Sequence, residues 1–249
     1  MQKSAINVVV KAARRAGDLI LRHVGRVETL SVFEKSKQDY ASEVDAQAEA
    51  EIIRELKRAF PDHAFLAEES GQTGKSRYTW VIDPLDGTSN FLHGIPHFCV
   101  SIALLDNQEP VLGVIYDPLR NEIYSAVKGS GAVLNDKRIR VAQRNDLSGA
   151  MLITGFAPRQ RSKIGAQLEA VRELMRDAED VRRTGSAALD LAYVAAGRAD
   201  AYFEAGGRVC DFRGGGDYFK YGQIVAGNLK VSELVQKSLV NSGYAAAFD

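Results

Sequence analysis

Apolar positions between residues 4 and 24 recur at helical spacing, with Ile6, Val9, Val10, Ala13, Ala16, Leu19 and Ile20 on one side. A second helix is predicted from about 43 to 60, with Val44, Ile52, Ile53 and Leu56 inward and Pro61 as its stop. Short apolar runs then read as strands over 64–67, 79–83, 98–105, 111–117 and 122–127. Only turn residues separate the last three (Asp106-Asn107-Gln108 and Asp117-Pro118), which predicts an antiparallel meander. Residues 129–141 add another turn and strand. Beyond about 145 helix and strand alternate. An amphipathic helix at 166–177 carries Leu168, Val171 and Leu174 on one face, and a small-residue helix spans 185–196. Strands follow at 199–204, 208–212 and 223–226, and a final helix starts near 231. The fold class is α/β: a layered α+β sandwich in two parts, residues 1–145 and 146–249.

At 249 residues the chain has ample material for a buried core, and its 45% hydrophobic and 26% charged content is that of a soluble globular protein. Thirty-two basic residues balance thirty-two acidic ones, so no global field recruits nucleic acid or anionic membrane. Arg159, Arg161 and Lys163 form one local basic patch, read as a solvated loop before an RNA contact. Residues 1–14 lack the apolar core of a secretory signal, and no run reaches membrane-spanning length. Cys99 and Cys210 make no disulfide framework, and the four histidines lack ligand spacing. The expectation is a reduced, cytoplasmic protein.

The densest chemistry lies in Thr79-Trp80-Val81-Ile82-Asp83-Pro84-Leu85-Asp86-Gly87-Thr88-Ser89-Asn90. A buried strand delivers Asp83, Pro84 interrupts it because it lacks an N–H, and Leu85-Asp86-Gly87 turns tightly. Two carboxylates three residues apart on a rigid turn suit a hard divalent cation, and the N–H groups of Gly87 and Thr88 suit a phosphate oxygen. The plain alternative is two ordinary turn signals, Asp-Pro and Asp-Gly. A second apolar strand ends in Glu68-Glu69-Ser70-Gly71. If the two strands are neighbours, Glu68 joins Asp83 and Asp86, and three such carboxylates call for metal. By residue type, Glu68 and Asp83 hold one ion, and Asp83 shared with Asp86 holds a second. Upstream, Ser42 reads as an N-cap with Asp45 its capping-box partner, so Asp45 is either a cap or a catalytic group.

Together with Gly185-Ser186-Ala187-Ala188 and Ala199-Asp200-Ala201-Tyr202-Phe203-Glu204, these motifs resemble the inositol monophosphatase family of magnesium-dependent phosphomonoesterases. The likeness runs from the first helix to Ile224-Val225-Ala226-Gly227-Asn228, and residues 182–193 resemble the bacterial branch that also serves ribosomal RNA transcription antitermination. The resemblance implies a sandwich of the inositol monophosphatase and fructose bisphosphatase type, with the metal cluster between the two parts. It implies two or three Mg²⁺ ions, and adds the Leu85 carbonyl to the ligands Glu68, Asp83 and Asp86. It implies that Thr88, oriented by Asp45, helps Glu68 to position and deprotonate the attacking water. It assigns phosphate to Gly87 and Thr88, and the substrate's hydroxyls to Gly185, Ser186, Ala187 and Glu204. By residue type alone these last read as a turn, a cap and a strand-end charge.

The implied activity is hydrolysis of inositol 1-phosphate or a related small polyol phosphate by metal-activated water. The alternative is an antitermination factor that binds RNA polymerase or Nus components and does not need catalysis. A fructose bisphosphatase or phosphoadenosine nucleotidase of the same superfamily is a third reading. A homodimer is implied by analogy, and no membrane partner. One departure stands out. After Glu204 the family continues with a Trp-Asp-x-Ala-Ala-Gly helix whose aspartate completes the second metal site. Here Glu204 runs straight into Ala205-Gly206-Gly207, and the lone Trp is Trp80. If strands 199–204 and 208–212 are parallel neighbours, their crossover needs a dozen or more residues. That pairing therefore predicts a longer segment at this point. A true deletion leaves the second ion with Asp83 and Asp86 alone, and catalysis weak.

Overall fold

The computed structural model describes residues 2–26, 32–36, 39–156, 164–205 and 223–242. They group into two compact units: residues 1–138 with 185–189, and residues 139–184 with 190–249.

In the first unit, α1 (Gln2–His23) and α2 (Glu43–Ala59) pack on each other and on an eight-stranded sheet. The strands are β3 (Ala64–Ala67), β4 (Gly71–Thr73), β5 (Tyr78–Asp86), β6 (Cys99–Asp106), β7 (Glu109–Asp117), β8 (Glu122–Val127), β9 (Gly131–Leu134) and β10 (Lys137–Arg138). Their spatial order is β10-β9-β8-β7-β6-β5-β3-β4. The meander β6-β7-β8 is antiparallel as predicted, because its connections are turns of a few residues. The pair β3–β5 is parallel, with Ala67 facing Ile82. A separate hairpin joins β1 (Val32–Ser36) to β2 (Asp39–Ser42).

The apolar face of α1 (Val9, Ala12, Ala13, Ala16, Ile20) meets Val44, Ala48, Ile52 and Leu56 of α2 above Trp80, Val100 and Val114 of the sheet. Alanines let the helices approach closely. The predicted capping box is present: the Ser42 hydroxyl accepts the Val44 N–H at 3.2 Å, and Asp45 accepts the Ser42 N–H at 2.8 Å. Between Asp83 and Asp86, β5 takes three steps along β6 where β6 takes two, from Ser101 to Cys99. Pro84 sits in this bulge, where a missing N–H costs no ladder bond.

The second unit is built on a four-stranded sheet, β12 (Asp180–Arg182), β11 (Met151–Thr154), β13 (Ala201–Ala205) and β14 (Gln223–Gly227), in that order. Its core joins Leu152, Phe203 and Val225 to Ala170 and Leu174 of α4 (Ile164–Leu174) and to Val231, Val235 and Leu239 of α6 (Leu229–Asn241). Two shorter helices, α3 (Thr88–Leu92) and α5 (Ala187–Ala195), complete the described elements. The predicted strand at 208–212 lies outside the described residues. Its assumed pairing with 199–204 is corrected: a strand has two edges, and those of β13 are taken by β11 in parallel and β14 in antiparallel. No described helix is long and apolar enough to cross a membrane.

Gly17 sits mid-helix in α1, where glycine normally costs about 0.5–1 kcal/mol relative to alanine. A Cβ there would lie 2.4 Å from Tyr116 Cε1, and the Tyr116 ring is buried against the helix. Gly17→Ala should therefore destabilise by about 1–3 kcal/mol despite the better helix former, read as a lower denaturant midpoint.

Candidate active site

The parallel pairing of β3 and β5 brings Glu68 and Asp83 to the same end of the sheet. The Glu68 N–H donates to Ile82 O at 3.1 Å, one step beyond the regular ladder. Asp83 shares a hydrogen bond with the Glu68 carboxyl, and burial holds its own carboxyl protonated well above the usual range. The charges of Asp86 and Glu68 push the same way, and the Leu85 N–H, 3.2 Å from Asp83 Oδ1, pulls back. Ionising this side chain would place a charge in a buried position between Asp86 and Glu68.

The turn that follows is held from several directions. Leu85 is 1% exposed and acts as its apolar anchor. Gly87 has φ +96°, and a Cβ on it would come within 3.0 Å of the His97 carbonyl, so glycine is required there. Thr88 Oγ1 lies 2.9 Å from both Asp45 Oδ1 and the Leu85 carbonyl. The other Asp45 oxygen accepts the Ser42 N–H at 2.8 Å and the Ser42 hydroxyl at 2.6 Å. Burial raises the Asp45 pKa, and the bonds from Ser42 and Thr88 oppose that rise. Asp45 is thus both a cap and the partner of Thr88; the sequence treated these as alternatives.

Asp86 faces α5. Its Oδ2 accepts the Ser186 hydroxyl and the Ala188 N–H, each at 2.7 Å, an anion at a helix N-terminus. Cys99 Sγ lies 3.9 Å from the same oxygen and 3.6 Å from Ser186 Oγ, and burial pushes its thiol well up, so it stays uncharged. Ser186 is therefore seated on Asp86, and Ala187 forms the first residue of the helix. Gly185 has φ +98°, which lets the chain turn into α5. Glu204 belongs to β13 in the second unit, where it accepts the Tyr202 hydroxyl and lies against Gly155, a position with no room for a Cβ. No group of three or more His, Cys, Asp or Glu side chains among the described residues is already gathered as a metal-holding set. One oxygen of Asp86 is engaged with α5, while Asp83 and Glu68 are in direct contact.

Two participants escaped the sequence reading. Cys99 touches Asp86 from β6, and Glu49 of α2 holds the backbone after Glu68: its carboxylate accepts the N–H groups of Glu69 at 2.7 Å and Ser70 at 2.9 Å. The signal for Glu49 was present. It sits among Val44, Asp45, Ala48 and Ile52 on the buried face of α2, a place an acid occupies only with partners.

The model of the inositol monophosphatase family matches residues 1–244. A relative from Xylella fastidiosa (strain Temecula1), called Nus factor SuhB, is 55% identical over 273 positions, covering 100% of this chain and 99% of its own. That span exceeds the 249 residues here by 24, so the relative has residues that this chain lacks. The crystal structure of the extragenic suppressor protein suhB from Bartonella henselae superposes with a TM-score of 0.91 at 40% identity, covering 95% of this chain and 98% of that one. Inositol monophosphatase from Anabaena (Nostoc) sp. PCC 7120 gives a TM-score of 0.83 at 35% identity, with 96% of each chain covered.

A stability measurement reads the cost of ionising Asp83, set by its burial and then by the charges of Asp86 and Glu68. Asp83 is raised in the folded state, so its contribution is full below its unfolded pKa of 3.8 and is lost as pH rises through the folded value. In chelator, the melting temperature should fall as pH is raised above about 4, and Asp83→Asn should remove that fall. Equal pH dependence of the two proteins would mean that Asp83 is not so perturbed.

Proposed function

The chain belongs to the inositol monophosphatase family, and from that premise we propose that it is a Mg²⁺-dependent phosphomonoesterase acting on inositol 1-phosphate or a related small polyol phosphate. The observation that carries the reading is the contact of Glu68 with Asp83 at the ends of two parallel strands, with Asp86 across the bulge. Carboxylate oxygens and a carbonyl are the donors that a hard divalent cation takes. Glu68, Asp83, Asp86 and the Leu85 carbonyl would hold it. Bound there, the ion supplies a Lewis acid that lowers the pKa of water and neutralises the phosphate and the leaving oxygen.

The side chains supply position and proton handling. Thr88 donates its hydroxyl proton to the Asp45 carboxylate or the Leu85 carbonyl, which turns a lone pair of the oxygen outward to accept a hydrogen bond from water. Glu68 takes a proton from the water that attacks phosphorus in line, the ester P–O bond breaks on the opposite side, and the alkoxide leaves as the alcohol after taking a proton from solvent water; no covalent phosphoenzyme forms. The N–H groups of Gly87 and Thr88 would take the phosphate oxygens. Ser186 and Ala188 fix the rotamer of Asp86 by donating to its Oδ2. Gly185, Ser186, Ala187 and Glu204 are the residues that the family likeness assigns to the sugar hydroxyls. The protein would work in the cytoplasm as a homodimer.

A second reading rests on a separate observation, the 55% identity to a relative called a Nus factor. It holds that the chain binds RNA polymerase or Nus components, independently of catalysis. One variant examines both readings. Asp83→Asn should abolish Mg²⁺-dependent phosphate release from inositol 1-phosphate while circular dichroism stays unchanged; retained turnover would sink the mechanism. The same variant should still capture the transcription components, and loss of capture would count against an independent role.

A further inference from the structure

Helix α2 carries three buried carboxylates, Asp45, Glu49 and Glu55; Asp45 and Glu49, one turn apart, each hold a different strand end of the site. Asp45 accepts Thr88 beyond β5. Glu49, 3% exposed, uses both oxygens on backbone: Oε2 accepts the Glu69 N–H at 2.7 Å and Oε1 the Ser70 N–H at 2.9 Å. With its own N–H tied to Ile82 O, Glu68 is bounded on one side by β5 and on the other by two amides fastened to α2. A residue whose backbone is fixed at both flanks has few ways to move its Cβ. Since both Glu49 oxygens are engaged by amides, its carboxylate acts on the loop and not on an ion.

Resting on the phosphatase reading above, we propose that Glu49 is a positioning residue for Glu68: it sets one metal-holding carboxylate in place before the cation arrives. A charged acceptor is needed for this. Glutamine at the same position offers one oxygen to one amide, while its NH₂ would point at the other N–H, donor against donor. The loop would then have to move away from α2. Outer-shell partners of this kind typically govern metal affinity or activity by about 10–100-fold.

The experiment measures Mn²⁺ binding by electron paramagnetic resonance and calorimetry in the full-length wild type, Glu49→Gln and Glu68→Gln. Mg²⁺-dependent phosphate release is measured alongside. Glu49→Gln should raise the Mn²⁺ dissociation constant about 10–100-fold, with a matching rise in the Mg²⁺ needed for half-maximal rate. At saturating Mg²⁺ its KM for the phosphate ester should equal that of the wild type, a split that a general loss of structure would not produce. If Glu49→Gln binds Mn²⁺ as tightly as wild type while Glu68→Gln does not, the metal site stands and the positioning role falls. If the wild type itself binds no Mn²⁺, the phosphatase reading fails and takes this inference with it. Should Glu49→Gln not fold, amide exchange in the wild type decides. The Glu69 and Ser70 N–H groups should be protected in the absence of metal, and free exchange there overturns the proposal.

Discussion

The parallel pairing of β3 with β5 is the constraint on which the site depends. It forces Glu68 and Asp83 to the same strand end, and the bulge that follows brings Asp86 close enough for its charge to act on Asp83. Ionising Asp83 there is costly, first because it is buried and then because Asp86 and Glu68 lie beside it. The fold holds them with groups that gain elsewhere. Burial of Leu85 contributes about 1.5–3 kcal/mol at the centre of the turn. Asp86 gains two hydrogen bonds from the start of α5, and the Asp45–Thr88 and Glu49–backbone bonds tie both strand ends to α2. The result is a set of acidic side chains held at one end of the sheet.

Helix α2 has the central mechanical part. Its apolar face packs on α1 and the sheet, which fixes the helix in space. Asp45 and Glu49 on that same face then convert the fixed position into fixed distances at the two strand ends. This explains why Asp45 is a cap and the partner of Thr88 together: its two oxygens serve different groups, one Ser42 and one Thr88.

How much of this was legible follows from the range of each interaction. The capping box, the meander and the two carboxylate-bearing strand ends were readable because each depends on residues close in sequence. Strands β11 and β12 went unread: Met151–Thr154 is four residues of apolar chain with no alternation, and Asp180–Arg182 is three. The hairpin β1–β2 and strand β4 were missed for the same reason. The bond from Ser186 to Asp86 spans 100 positions, and nothing local announces it. The same holds for Glu49 and the amides of Glu69 and Ser70. The supposed crossover after Glu204 failed because it ignored competition for the edges of β13. The 24-position excess in the Xylella alignment still leaves the chain shorter than that relative. The Trp-Asp helix motif that the family resemblance implies does not follow Glu204, since the lone Trp is Trp80.

The most direct test of the account is anomalous diffraction from crystals of the protein grown with Mn²⁺ and inorganic phosphate. The account predicts a peak about 2.1 Å from carboxylate oxygens of Glu68 and Asp83 and from the Leu85 carbonyl, with phosphate against the Gly87 and Thr88 amides. A well-ordered Mn²⁺ peak at some other set of residues, with these carboxylates uninvolved, would contradict it.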